Sequence, residues 1–127
     1  MAWEWSAGHS NSLPKFQSKK DAFGGARRDL GISKHQKPDA VKSVPLEDKW
    51  GKKILDSQGK VVNTREYHFT RSDGSIVVIQ EHSAGHKFGQ GGVGDQGPHY
   101  NVRPYDSTSG NAARNGSVPG TRDHYSY

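Results

Sequence analysis

Four of the seven histidines in this 127-residue chain lie from position 82 onward, at His82, His86, His99 and His124. Imidazole titrates closest to neutral pH and is the commonest metal ligand, so such a cluster can move protons, hold a cation, or do both. His82 directly follows an acid, Glu81, and His99 is followed at two-residue spacing by Asn101 and Arg103. In an extended segment this spacing places His99, Asn101 and Arg103 on one face. The guanidinium at the end of that row has the fork geometry that suits a phosphate. His9 and His35 lie in polar, loop-like surroundings and are assigned no chemistry. Glu66 and His68 alternate with Tyr67 and Phe69, and are expected on a solvated sheet face.

The elements that must position these residues can be read from the pattern. Ile76 to Ile79 is a short β-branched run, the best candidate for a central strand, and it leads straight into Glu81-His82. A regular strand would send those two side chains to opposite faces. Both reach one site only if the strand breaks there, which the following Ser83-Ala84-Gly85 permits. A glycine-rich loop then runs to Gly97, and Pro98 to Pro104 is expected as a second short strand. The loop matches neither GxxxxGK[ST] nor GxGxxG in the required context, which excludes a nucleotide cofactor. Upstream, Thr64 to Thr70 alternates as a strand, Asp73-Gly74 makes a turn, and Lys53–Leu55 with Lys60–Val62 reads as a hairpin about Asp56-Ser57-Gln58-Gly59. Val41 to Leu46 is a further candidate strand. Ser18 to Gly31 is expected to be helical, with Ser18 as cap, Asp21 at the capping-box position, Gly31 as terminator, and Ala22, Phe23, Ala26 and Leu30 roughly on one face. Gly24 and Gly25 oppose the helix. After Tyr105, Gly110, Gly116, Pro119 and Gly120 weaken helix character. Either Asn111 to Asn115 forms a helical turn or the tail presents His124 without one.

Composition bounds the whole. The chain is 30% hydrophobic and carries 16 glycines, so it is read as one α+β domain with a small core. Residues 1–17 are expected to be a linker or N-terminal arm, and residues 18–127 a single domain. There is no cysteine, which removes disulfides and thiolate zinc sites. No apolar run reaches membrane-spanning length, so no membrane anchor is expected. Met1 to Ser12 lacks the apolar stretch of a secretory signal, so export is expected to depend on a larger parent chain or a dedicated machine. The formal charge of +5 suits a polyanion such as nucleic acid.

A strand ending in an acid and a histidine, a long loop, and a second strand with a polar residue resembles the HNH/endonuclease VII group, the His-Me finger nucleases. Gln80 to Gly89, Gly94 to Pro104 and Val118 to Tyr125 are similar to the HNH toxin family named for a conserved Glu and three His, as are Ala22 to Ile32 and Arg65 to Thr70. The resemblance implies a small ββα-metal core with an N-terminal helix, β-hairpins and a loop-rich C-terminal segment. It implies a metal-dependent endonuclease toxin that cuts DNA, favoured over RNA, in competitor bacteria. The implied cofactor is a divalent ion, Mg²⁺ first, with Zn²⁺, Ni²⁺ or Mn²⁺ as alternatives. His82 is the implied general base, with Glu81, His99, His124 and His86 as metal-ligand candidates. Asn101 is the implied orienting residue, and Arg103 the phosphate contact. In the group the last ligand usually sits on a helix, a point from which this tail departs. The resemblance also implies export as the C-terminal part of a larger effector and action in the target-cell cytoplasm. A cognate immunity protein, acidic to match a basic groove, is expected to cover the Gly85 to Gly97 loop or the basic residues near it.

Two rival functions use the same residue types. A metal-independent ribonuclease would employ two histidines as base and acid, and would keep cutting in chelator. A non-catalytic basic module would bind nucleic acid without cleavage and without needing His82. Clustered imidazoles in a glycine-rich frame argue against it, because a binder needs aromatics and cations more.

Overall fold

A computed structural model describes residues 14–48, 50–82 and 97–127. In chain order these form α1 (Lys19–Leu30), β1 (Ala40–Pro45), β2 (Asn63–Thr70), β3 (Ile76–His82), β4 (His99–Asp106), β5 (Asn111–Ala112) and β6 (Tyr125–Ser126). The strands pair antiparallel in the order β1-β2-β3-β4-β5, with β6 also paired to β4.

The expected helix is present, and its ends are chemical. Ser18 is extended, and its hydroxyl accepts from the Asp21 backbone N–H at 3.0 Å. Gly31 takes the left-handed conformation at φ 74°, its N–H reaches Arg28 O, and Ile32 N–H reaches Arg27 O. That pair of bonds satisfies carbonyls the last turn leaves orphaned. Asp21 in the first turn and Arg27 and Arg28 in the last complement the helix dipole. Gly25 costs about 1 kcal/mol of helix propensity against alanine, but a Cβ there would lie 2.5 Å from Cζ of Phe16. The bare backbone lets the Phe16 ring close on the helix, and Phe16 N–H bonds Ser126 O at 2.8 Å.

The sheet register follows from the Asp73-Gly74 turn, where Gly74 N–H bonds Arg71 O and Asp73 Oδ1 accepts from Ser75 N–H. Residues equidistant from Asp73 pair across β2 and β3, so Tyr67 meets Ile79 and Glu66 meets Gln80. On β4, Val102 lies opposite Ile79, Asn101 opposite Gln80 and His99 opposite His82. One face therefore carries Phe69, Val77, Ile79, Tyr100 and Val102, which pack with Ala22, Ala26 and Leu30 of α1 and with Tyr125. Phe23 joins the two layers, its ring 5.0 Å from Tyr67 and 5.2 Å from Tyr100. The other face carries Glu66, His68, Gln80, His82, His99, Asn101 and Arg103.

One expectation changes and two take definite form. Glu66 and His68 are not solvated: they are 1% and 4% exposed, because β5 folds over them and Ala112 N–H bonds Glu66 Oε1. The hairpin at 53–62 is tied by an isolated Leu55–Val61 bridge rather than paired strands, with Asp56 Oδ1 accepting from Gln58 and Lys60 N–H in its turn. No helix follows β4 among the described residues, and Asn111–Ala112 is the short strand β5. The α+β class holds, with a helix and a curled antiparallel sheet.

Candidate functional site

The ends of β3 and β4 bring three imidazoles together. His82 and His99 sit directly opposite in register, with His82 Nδ1 3.3 Å from His99 Nε2 and ring centroids 5.1 Å apart. His124 comes from the tail. Tyr125 turns its ring into the helix-side core, so His124 before it reaches the opposite face, its ring centroid 4.6 Å from that of His99. Asn101 binds two of the three, with Nδ2 3.1 Å from His82 Nδ1 and Oδ1 2.9 Å from His124 Nδ1. His82, His99 and Asn101 are buried, and His124 is half-buried.

These partners define protonation. The Asn101 carbonyl oxygen can only accept, so His124 Nδ1 carries a proton and its Nε2 the lone pair. The Gly97 carbonyl does the same for His99, accepting from Nδ1 at 2.6 Å. A neutral histidine whose outer nitrogen donates to a carbonyl is the arrangement that orients metal ligands. The Asn101 amide beside His82 Nδ1 orients that ring. Burial, aided by Arg103 and opposed by Asp123, holds the His124 pKa below the ordinary histidine value, so its lone pair is available at neutral pH. The donor set thus fits a divalent cation through the Nε2 atoms of His99 and His124, with His82 adjacent. Among the described residues, no three His, Cys, Asp or Glu side chains come together as a complete shell.

Arg103 continues the β4 row as the alternation predicts. It is half-buried, its Nη1 donates to Gly116 O at 3.2 Å, and burial lowers its pKa against the pull of Asp123. A cavity of about 410 Å³ opens beside it, lined by His82, Asn101, Arg103, Gln80 and Glu66 among others. Glu66 is held in its floor by three donors: His68 Nε2 at 3.1 Å, Ala112 N–H at 3.1 Å and Gln80 Nε2 at 2.9 Å. Sequence reasoning missed Glu66 and Gln80. The signal was the turn at Asp73, which pairs even positions with even positions and so puts them on the same face as His82.

Glu81 is a correction. β3 stays regular through His82, so Glu81 falls on the helix side. There its carboxylate accepts from Lys19 Nζ at 2.8 Å and Tyr67 OH at 3.0 Å. The strand break that would have brought it to the imidazoles is not made before residue 83. His86 and the glycine-rich loop lie outside the described residues, as do Trp3 and Trp5 of the arm.

A family model described as HNH/Endo VII superfamily nuclease toxins, Tox-HNH-EHHH, matches residues 53–127, more than half of the chain. The match takes in β2 to β6 and every residue of the imidazole network. No curated protein and no solved structure matches.

Proposed function

The chain belongs to the Tox-HNH-EHHH family of HNH/Endo VII superfamily nuclease toxins, and on that premise we propose a metal-dependent endonuclease, its centre at the paired ends of β3 and β4, that cuts DNA in competitor bacteria. The observation that carries this reading is the His82–His99–Asn101–His124 network at the paired ends of two strands.

Cleaving a phosphodiester requires an activated water and stabilisation of charge on the phosphorus oxygens and the leaving oxygen. His82 serves as general base, taking the proton of the attacking water on its imidazole, and Asn101 orients the ring. His99 and His124 would hold the cation through Nε2, with His86 as a further donor. The bound ion would supply Lewis-acid stabilisation of the transition-state charge. With Glu81 turned away, the nitrogen donors suit Zn²⁺ or Ni²⁺ better than Mn²⁺ or the Mg²⁺ first expected. Arg103 contacts the phosphate through its guanidinium fork. The domain is residues 18–127 with Phe16 of the arm packed onto it, delivered as the C-terminal part of a larger secreted effector, acting in the target-cell cytoplasm and neutralised in the producer by an acidic immunity protein.

The test is incubation of purified protein with plasmid and with total RNA, each with Mg²⁺, Mn²⁺, Zn²⁺ or chelator. Plasmid cleavage that needs a divalent ion is expected. RNA cleavage that survives chelator would establish the metal-independent ribonuclease instead, and binding without cleavage would establish a non-catalytic module.

A further inference from the structure

The cavity on the sheet face opposite α1 is larger than a phosphodiester needs. At about 410 Å³ it lies within the range of about 300–1,000 Å³ occupied by small-molecule sites. His82, Asn101 and Arg103 line one part of it, and Gln80, Glu47 and Arg114 line another. Resting on the nuclease reading above, we propose that this cavity seats one unstacked nucleobase of the substrate strand beside the cleaved phosphate, and that Gln80 and Arg114 recognise it.

The wall chemistry selects a base over a second phosphate. Asp48 and Asp106 join Glu47 along the lining, and carboxylates repel phosphate oxygens. A nucleobase is uncharged and offers a flat face and polar edges. For the face, Arg114 supplies a planar guanidinium, the kind of platform on which unstacked bases rest. It is held on two sides. Glu47 Oε1 lies 3.5 Å from its Nη1, and that Nη1 sits against the bare Cα of Gly51, where a Cβ would lie only 1.9 Å away.

For the edge, Gln80 is pre-set. Its Nε2 donates to Glu66 Oε2 at 2.9 Å. Glu66 is itself fixed by His68 and Ala112, so the amide cannot flip without setting its oxygen against a carboxylate. Gln80 Oε1 is therefore free to meet a ligand as an acceptor, beside the second hydrogen of its Nε2. An acceptor in the floor favours the exocyclic amine of cytosine, adenine or guanine over thymine or uracil, whose one edge donor, the ring N3–H, lies between two carbonyl oxygens that repel it.

The experiment uses single-stranded oligo-thymidine carrying one cytosine, or one abasic site, at a fixed position, with the divalent ion that supports cleavage. Wild-type protein is expected to cut beside the cytosine about ten-fold faster than at thymine steps, and to lose that advantage at the abasic site. Gln80→Leu should flatten the preference. Arg114→Ala, a change at an exposed position, should raise KM more than it lowers kcat. Even cutting along the strand by wild type, or an unchanged preference in Gln80→Leu, overturns the base site. If wild type cuts no nucleic acid, the endonuclease reading itself is overturned. The base site is read separately by fluorescence anisotropy with the His82→Ala protein. Tighter binding of the cytosine oligonucleotide, lost in His82→Ala/Gln80→Leu, supports the site, and equal affinity for both oligonucleotides overturns it.

Discussion

The two faces of the sheet are made from alternate residues of the same strands, and both are buried, yet they are opposite materials. The helix face is aromatic and aliphatic: Phe69, Val77, Ile79, Tyr100 and Val102 against α1 and Tyr125. The other face buries Glu66, His68, His82, His99 and Asn101. Apolar burial is favourable wherever shape allows, whereas a buried polar group costs free energy unless a partner meets it. Hence the second face is built on hydrogen bonds, around Glu66 with its three donors and around Asn101 between two imidazoles. One face holds the fold together and the other holds reactive groups in place. Substitutions should separate the two.

The largest expected effect lies on the polar face. His82→Ala should lower cleavage by about 10²–10⁴-fold, the span of a lost general base, while the circular dichroism spectrum and cooperative melting persist. Full nuclease activity in a folded His82→Ala protein would remove His82 from the chemistry. The mirror experiment is Phe69→Ala on the helix face. Phe69 is fully buried, so truncation should cost about 3–5 kcal/mol of stability by transfer and cavity formation. At temperatures where the variant remains folded, the cleavage rate should stay near wild type. A rate loss as large as that of His82→Ala in folded protein would show that the two faces are not independent.

Much of the helix face is legible in the sequence, though Phe16, read as part of an arm, and Tyr125 are not. Ser18, Asp21 and Gly31 carry their own end signals, and Tyr67 and Phe69 alternate as a half-buried strand must. His99, Asn101 and Arg103 were likewise placed correctly by spacing alone. Glu66 and His68 were not, because alternation reports which residues share a face and not what covers it. Their cover is β5 and the residues beyond it, brought over by contacts some 46 positions apart such as Ala112 to Glu66. Glu81 turned on whether the strand breaks at 81–82 or later, a choice that local sequence left open. The helix-side partners Lys19 and Tyr67 accompany the regular strand.

Metal binding sharpens the polar face further. Removing the Nε2 of His99 should weaken divalent-ion affinity by at least about ten-fold, judged against the 10–100-fold typical of disturbing even the outer partners of a ligand. Calorimetric titration of wild type and His99→Ala checks this, and equal affinities would take His99 off the ligand set. On the helix face, Tyr125 offers a pH readout. Burial foremost, with the hydrogen bond to Asp29 assisting and the Arg122 N–H opposing, pushes its phenol up to about 12. The folded state therefore holds a proton that the unfolded state releases near 10. The resulting stabilisation is present in full below about pH 10 and is lost as pH rises toward 12. Thermal melts across that window should fall with pH in wild type and fall less steeply in Tyr125→Phe. Part of the slope should remain, since burial also raises Tyr67 and Tyr100. An identical slope in the variant would remove Tyr125 as a source.

The smallest effect belongs to the residue next to the largest. Glu81 and His82 are consecutive, but a regular strand sends them to different faces, and only His82 meets the imidazole network. Glu81 ties β3 to α1 through Lys19 and to β2 through Tyr67. The Lys19 side chain is 49% exposed and that of Glu81 13%, so water screens the ion pair from one side, and its worth is about 1 kcal/mol or less. Glu81→Gln keeps the shape and an oxygen for Tyr67 while removing the charge. It should lower the unfolding free energy by about that amount in urea titrations, with metal affinity and cleavage rate within about two-fold of wild type, under 0.5 kcal/mol. A metal ligand would behave otherwise, because losing a charged donor weakens the ion directly and carries the rate down with it. Loss of metal binding in a stably folded Glu81→Gln protein would therefore mean that the end of β3 rearranges to bring Glu81 across. The separation of the two faces would then hold only up to Gln80.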